Sequence, residues 1–142
     1  MKRGKRGNKV KLANANHIIM VDDNEGDTEL GRICCEQSDV ANPWLSFSNG
    51  PSFLAYLEAI RRGEAPMPAL VLLDINMPGM TGLEVLEQTR DDQFFANLPI
   101  FCMMTSSADP RDKARAQSLG ASGFVTKPDR VQEYVRFFNT LL

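Results

Sequence analysis

Ala69 to Asp74 reads ALVLLD, and Ile18 to Asp23 reads IIMVDD. Both are unbroken apolar runs that stop on aspartate. A strand with one wet face alternates apolar with polar residues, whereas a strand covered on both faces is apolar throughout. The two runs therefore read as neighbouring strands in the middle of a sheet with helices on either side. Working outward, the first strand spans His17 to Asp22 and the third Ala69 to Asp74, and further short apolar runs fall at Trp44 to Ser48, Pro99 to Thr105 and Gly123 to Lys127. Between them, Asp27 to Ser38, Ser52 to Arg62, Gly82 to Arg90 and Arg111 to Leu119 carry helical spacing, and Val131 to Leu142 closes the chain. In that last segment Val131, Tyr134, Val135, Phe138 and Leu142 form one apolar stripe, which the helical period assigns to the core. Strands alternating with helices imply parallel crossovers, so the fold class is α/β, a doubly wound (βα)5 unit around a five-stranded parallel sheet. All 8 prolines fall at segment boundaries, where the missing N–H and fixed φ do least harm.

The chain has 142 residues, enough for one domain with its own core and too few to make a second, effector domain expected. At 43% hydrophobic and 24% charged it has a globular composition, with no apolar run near the roughly 20 residues that span a bilayer. The first 16 residues lack the apolar stretch of a secretory signal, so a cytoplasmic location without membrane contact is expected. Six of the 16 basic residues lie between Lys2 and Lys11, leaving 10 against 18 acidic residues beyond them, a formal −8. That basic, glycine-containing start has little to bury, so residues 1–16 are expected to be a flexible tail and 17–142 the domain. A nucleic-acid partner is not expected from so short a basic stretch. Cys34, Cys35 and Cys102 lack zinc or redox spacing and read as packing residues. His17, the only histidine, reads as a strand-edge residue.

In an open parallel sheet the ligand site lies beyond the carboxyl ends of the strands. Asp22 and Asp23 end the first strand and Asp74 the third, so three carboxylates converge. At ~5 Å and an effective dielectric of about 20, each like-charged pair costs on the order of 3 kcal/mol, and the cluster calls for a cation. Oxygen-only ligands in a partly wet site favour Mg²⁺. The remaining strand ends contribute the Thr105 hydroxyl and the Lys127 ammonium, which together with the aspartates make up the parts of a phosphoryl site.

These residues carry a resemblance. VDDNEGD at Val21 to Asp27, LLDINMPGMTG at Leu72 to Gly82, MMTSS at Met103 to Ser107 and FVTKP at Phe124 to Pro128 are similar to the motifs of response-regulator receiver domains of two-component signalling. The resemblance covers His17 to Leu142. It implies a flavodoxin-like strand order of 2-1-3-4-5, Asp74 as phosphoacceptor, and Mg²⁺ held by Asp23, Asp74 and the Asn76 backbone carbonyl with help from Asp22. It implies further that Lys127 pairs with the phosphoryl oxygens, that Thr105 senses them, and that Phe124 turns inward as the switch. The implied partners are a sensor histidine kinase or phosphotransfer protein and a downstream protein target. The expected output is a homodimer or a kinase-released partner surface on the fourth helix, fifth strand and fifth helix, with Phe137, off the apolar stripe, either an exposed anchor there or a ring folded back over the helix edge. Ser106 stands where the family usually has Ala or Gly, and Phe124 has no hydroxyl. The long link from Arg61 to Pro68, with the serines after Thr105, resembles stand-alone receivers that partner phytochrome kinases.

Two enzyme-like or cofactor-binding rivals share parts of this pattern. A haloacid-dehalogenase-type phosphohydrolase also uses an Asp nucleophile after a strand, but needs a second Asp two residues on, where this chain has Asn76. A flavodoxin-like cofactor binder needs a first loop rich in Gly, Ser and Thr, whereas VDDNEGD is anionic and repels phosphate. The third rival is a docking module on the same fold that never turns over. With every acidic, hydroxyl and lysine position filled, the expectation is a signalling receiver that assists its own phosphorylation and dephosphorylation rather than an enzyme.

Overall fold

The computed structural model describes residues 11–105 and 109–142. Ser106, singled out above, and most of the basic tail lie outside the described residues.

Five strands run parallel in the order β2-β1-β3-β4-β5: β1 (Ile18–Val21), β2 (Trp44–Phe47), β3 (Leu70–Asp74), β4 (Ile100–Met104) and β5 (Gly123–Thr126). They alternate with α1 (Glu25–Gln37), α2 (Gly50–Arg61), α3 (Gly82–Arg90), α4 (Pro110–Ser118) and α5 (Val131–Asn139), and a single 3-10 turn, Gln93–Phe95, precedes β4. Every residue of β1 and β3 is buried, as their unbroken apolar runs require, and Val21 pairs with Leu73 in register.

Successive strand side chains point to opposite faces, which divides the core in two. Ile19, Val21, Val71, Leu73 and Cys102 face Phe53, Leu57 and Ile60 of α2 and Val85 and Leu86 of α3. Ile18, Met20, Leu70, Leu72 and Met103 face Cys34 and Cys35 of α1 and Tyr134 and Phe138 of α5. All three cysteines are free and buried.

Helix starts follow their caps rather than their apolar spacing. The Asn24 side chain accepts from the Asp27 N–H, so α1 begins two residues before the expected Asp27. Asn49 does the same for Ser52, and Pro51 and Pro110 sit inside the first turns of α2 and α4, where no N–H is needed. Thr81 and Glu84 form a reciprocal capping box at α3.

The last helix corrects the sequence reading. Val131 and Leu142, assigned to the buried stripe, are 42% and 57% exposed, while Leu141 is 2% exposed. The helix ends at Asn139, so the final leucines leave the helical wheel and the turn directs Leu141 inward. Of the two readings of Phe137, the folded-back ring is the one observed: it is half-buried against the second core cluster, its ring 6.0 Å from that of Phe101. A long aromatic side chain at the margin of the stripe folds back over the sheet, because burying its area is worth more than the wheel position costs.

Ahead of β1, the Leu12 N–H donates to the Leu141 carbonyl and the Asn16 side chain to the Met67 carbonyl, so the last residues of the expected tail are bonded to the domain. Among the described residues no helix is long and apolar enough to cross a membrane.

Candidate phosphoryl site

Parallel pairing places all five strand carboxyl ends at one edge, and the predicted site residues gather there. Asp22 follows β1, its backbone N–H bonded to the Phe47 carbonyl at 3.0 Å. Asp74 is the last residue of β3. Oxygens of Asp22, Asp23 and Asp74 lie within 4.8 Å of one another, Asp23 exposed and the other two buried. Two buried carboxylates of one sign need local compensation. Backbone supplies part of it: the Asn24 N–H donates to Asp22 Oδ1 at 2.9 Å and the Asn76 N–H to Asp74 Oδ1 at 3.0 Å.

Lys127 supplies a further part. Its backbone N–H donates to the Met104 carbonyl at 2.7 Å, continuing the β4–β5 ladder and anchoring its Cα at the edge. Its ammonium Nζ donates to Asp22 Oδ2 at 2.9 Å and lies 3.5 Å from Asp74 Oδ2. Burial opposes the lysine's charge, but the hydrogen bonds it donates to Asp27 and Asp22 and the charge of Asp74 outweigh it and hold the group protonated. For Asp22 the balance runs the other way. Burial drives its carboxyl from 3.8 up to about 6, against the pull of the Asn24 and Lys127 hydrogen bonds. A buried carboxylate that retains this much penalty after pairing fits a site that takes a further cation, and its all-oxygen donors suit a hard one such as Mg²⁺.

The loop after β3 is shaped by a close approach. A Cβ on Gly82 would collide with the Asp74 carbonyl oxygen and stand 2.6 Å from Ile75 Cα, so only glycine lets α3 start against the backbone that carries Asp74. Gly79, at φ +73°, supplies the left-handed turn just before it. Asn76 is exposed beside Asp74. Thr105 immediately follows β4 at the same edge and is exposed. Phe124, opposite Cys102 in register, is half-buried on the first core cluster, with Lys113 Nζ of α4 at 5.4 Å from its ring centre.

The sequence reading missed one member of this network. Asp27 Oδ2 accepts from Lys127 Nζ at 2.9 Å, as short as the bond to Asp22. An Asp in the first turn of a helix ordinarily complements the helix dipole, and that local explanation concealed its reach across the sheet edge.

The fold and this arrangement of strand-end carboxylates and lysine are those of a class of signalling domain, the receivers. The chain belongs to the response-regulator receiver family: residues 18–137 match the model of the Response regulator receiver domain. It is 28% identical over 125 residues to the Polar-differentiation response regulator DivK of Brucella anthropi, covering 88% of this chain and 94% of that protein. Among solved structures it is similar to the bacteriophytochrome response regulator RtBRR, with 30% identity, a TM-score of 0.72 and coverage of 94% of this chain and 78% of that one. It is also similar to a response regulator in red light signaling of R. palustris, with 26% identity, a TM-score of 0.78 and coverage of 89% and 90%.

Proposed function

We propose that this protein is a phosphorylation-driven switch: Asp74 accepts a phosphoryl group from a histidine kinase or phosphotransfer protein in a Mg²⁺-dependent reaction, and the acyl phosphate alters the domain's protein contacts. The observation that carries the reading is the meeting of three carboxylates within 4.8 Å with a lysine ammonium 3.5 Å from the strand-terminal Asp74.

In this mechanism Asp22, Asp23, Asp74 and the Asn76 backbone carbonyl would hold Mg²⁺, which would supply positive charge to the phosphoryl oxygens. Asp74 attacks phosphorus in line, the new P–O bond forming as the donor's P–N bond breaks and its electron pair returns to the imidazole. The Asn76 N–H orients the attacking carboxylate through Oδ1, and Lys127 turns one of its donors to a phosphoryl oxygen. Thr105 then donates its hydroxyl to another of those oxygens. Movement of Thr105 opens space for the Phe124 ring, and the surface of α4, β5 and α5 repacks. Homodimerisation through that face is the proposed output.

The similarity to a bacteriophytochrome response regulator over 94% of this chain supports a kinase of the phytochrome class as the donor, in a cytoplasmic two-component system. The test is incubation with acetyl phosphate and Mg²⁺ followed by intact mass measurement. The wild type is expected to gain one phosphoryl mass only with Mg²⁺, and Asp74→Asn none. Full labelling in EDTA, or equal labelling of Asp74→Asn, would overturn the assignment; no labelling at all would favour a docking module.

A further inference from the structure

We propose that Asp27 is a latch on Lys127, a positioning residue that holds the ammonium back from the phosphoacceptor until a phosphoryl group arrives. The inference rests on the reading of Asp74 as the acceptor and adds a residue to it.

An ammonium has three N–H donors. Two are committed at 2.9 Å, to Asp22 and to Asp27, while Asp74 stands at 3.5 Å, beyond an ordinary N–H···O bond. The latch is rigidly mounted. Asp22 Oδ1 accepts from the Asn24 N–H, Asn24 Oδ1 accepts from the Asp27 N–H, and Lys127 Nζ bridges Asp27 back to Asp22. This closed ring ties the start of α1 to the end of β5. The Thr28 hydroxyl donates to the Asn24 carbonyl at 2.9 Å and braces the same turn.

The two holders differ in how readily they let go. The Asp22 side chain is 0% exposed, so losing the lysine strands a buried charge. The Asp27 side chain is 40% exposed, and water replaces the lysine there at small cost. Asp27 is therefore the releasable partner. When a dianionic group forms on Asp74, the lysine gives up Asp27 and keeps Asp22. In the resting protein Asp27 competes with that capture.

The measurement is binding of beryllofluoride at saturating Mg²⁺, by calorimetry, to the wild type, Asp27→Asn, Asp27→Glu, Lys127→Ala and the Asp27→Asn/Lys127→Ala pair. Asp27→Asn leaves the helix cap intact, since Asn24 bonds the Asp27 backbone. It is expected to bind ~2- to 5-fold more tightly, the range of a partly exposed ion pair, with Asp27→Glu restoring the wild-type value. In the Lys127→Ala background the same substitution is expected to change nothing, because the latch acts only through the lysine. Unchanged or weaker binding by Asp27→Asn would overturn the latch, as would an equal gain without Lys127, which would indicate a simple charge effect. A second readout does not depend on phosphoryl chemistry: the Lys127 ammonium signal in ¹H–¹⁵N spectra of the metal-free protein, expected to be protected in the wild type and to exchange faster in Asp27→Asn. If the wild type binds no beryllofluoride and Asp74 takes no label, the acceptor reading fails, and this spectrum alone decides the latch; an identical signal in both proteins would refute it.

Discussion

Replacing Asp22 with asparagine should make the metal-free domain more stable near neutral pH and less responsive to Mg²⁺. Asp22 is 1% exposed, and burial raises its carboxyl from 3.8 to about 6. A folded-state value above the unfolded one means that the folded protein binds the extra proton between those two values. The contribution of Asp22 to stability is thus fully present below about pH 4 and is lost as pH rises through about 6. Two units at 1.36 kcal/mol each give a loss of about 3 kcal/mol, an upper value since the unfolded chain is not fully solvated. An amide at this position has no such titration. In EDTA, the stability of the wild type minus that of Asp22→Asn should therefore fall by up to about 3 kcal/mol between about pH 4 and pH 7.5.

Mg²⁺ is expected to reverse the sign for the wild type, because a ligand that binds only the folded state stabilises it by RT ln(1 + [L]/Kd), roughly 3 kcal/mol at a hundredfold excess over Kd. The assay is urea unfolding followed by tryptophan fluorescence at a series of pH values, with EDTA and with Mg²⁺. A difference between the two proteins that stays flat with pH in EDTA would refute the desolvation argument. Equal Mg²⁺ stabilisation of both would remove Asp22 from the cation's surroundings.

Gly82→Ala should cost ~3 kcal/mol, because the new methyl meets the immobile backbone of Asp74 and Ile75; thermal unfolding checks the stability and acetyl phosphate labelling should drop with it. Asp23→Asn removes an exposed charge from the cluster and should weaken Mg²⁺ roughly tenfold or more by calorimetry while leaving the unfolding midpoint in EDTA nearly unchanged. Arg90 donates to the Gly120 carbonyl, the Phe95 carbonyl and Ser122 Oγ at 2.9, 2.7 and 3.2 Å. Arg90→Ala should therefore cost about 2 kcal/mol in urea unfolding, with Mg²⁺ affinity retained because the clamp lies away from the site.

What could be read from the chain was whatever a short window contains. The continuous apolar runs of β1 and β3 place both strands in mid-sheet, and a parallel sheet then carries Asp22, Asp74, Thr105 and Lys127 to one edge without any knowledge of loops. Features that depend on two distant segments meeting were not legible in this way. The wheel over Val131 to Leu142 treats α5 as unbroken, yet its end at Asn139 exchanges Leu142 for Leu141 in the core. The wheel also knows nothing of Phe101, whose ring draws Phe137 down onto the sheet. Asp27 is the sharpest case. Within its own window it has a sufficient local reason to exist, as an acid in the first turn of α1, and its bond to Lys127 spans 100 residues. The same helix cap that provides the local reason also fixes the side chain where the lysine arrives, since Asn24 holds the Asp27 backbone with one atom while its own N–H holds Asp22. A residue that satisfies a local rule and a tertiary one together leaves no anomaly in the sequence to betray the second, and only the folded edge separates them.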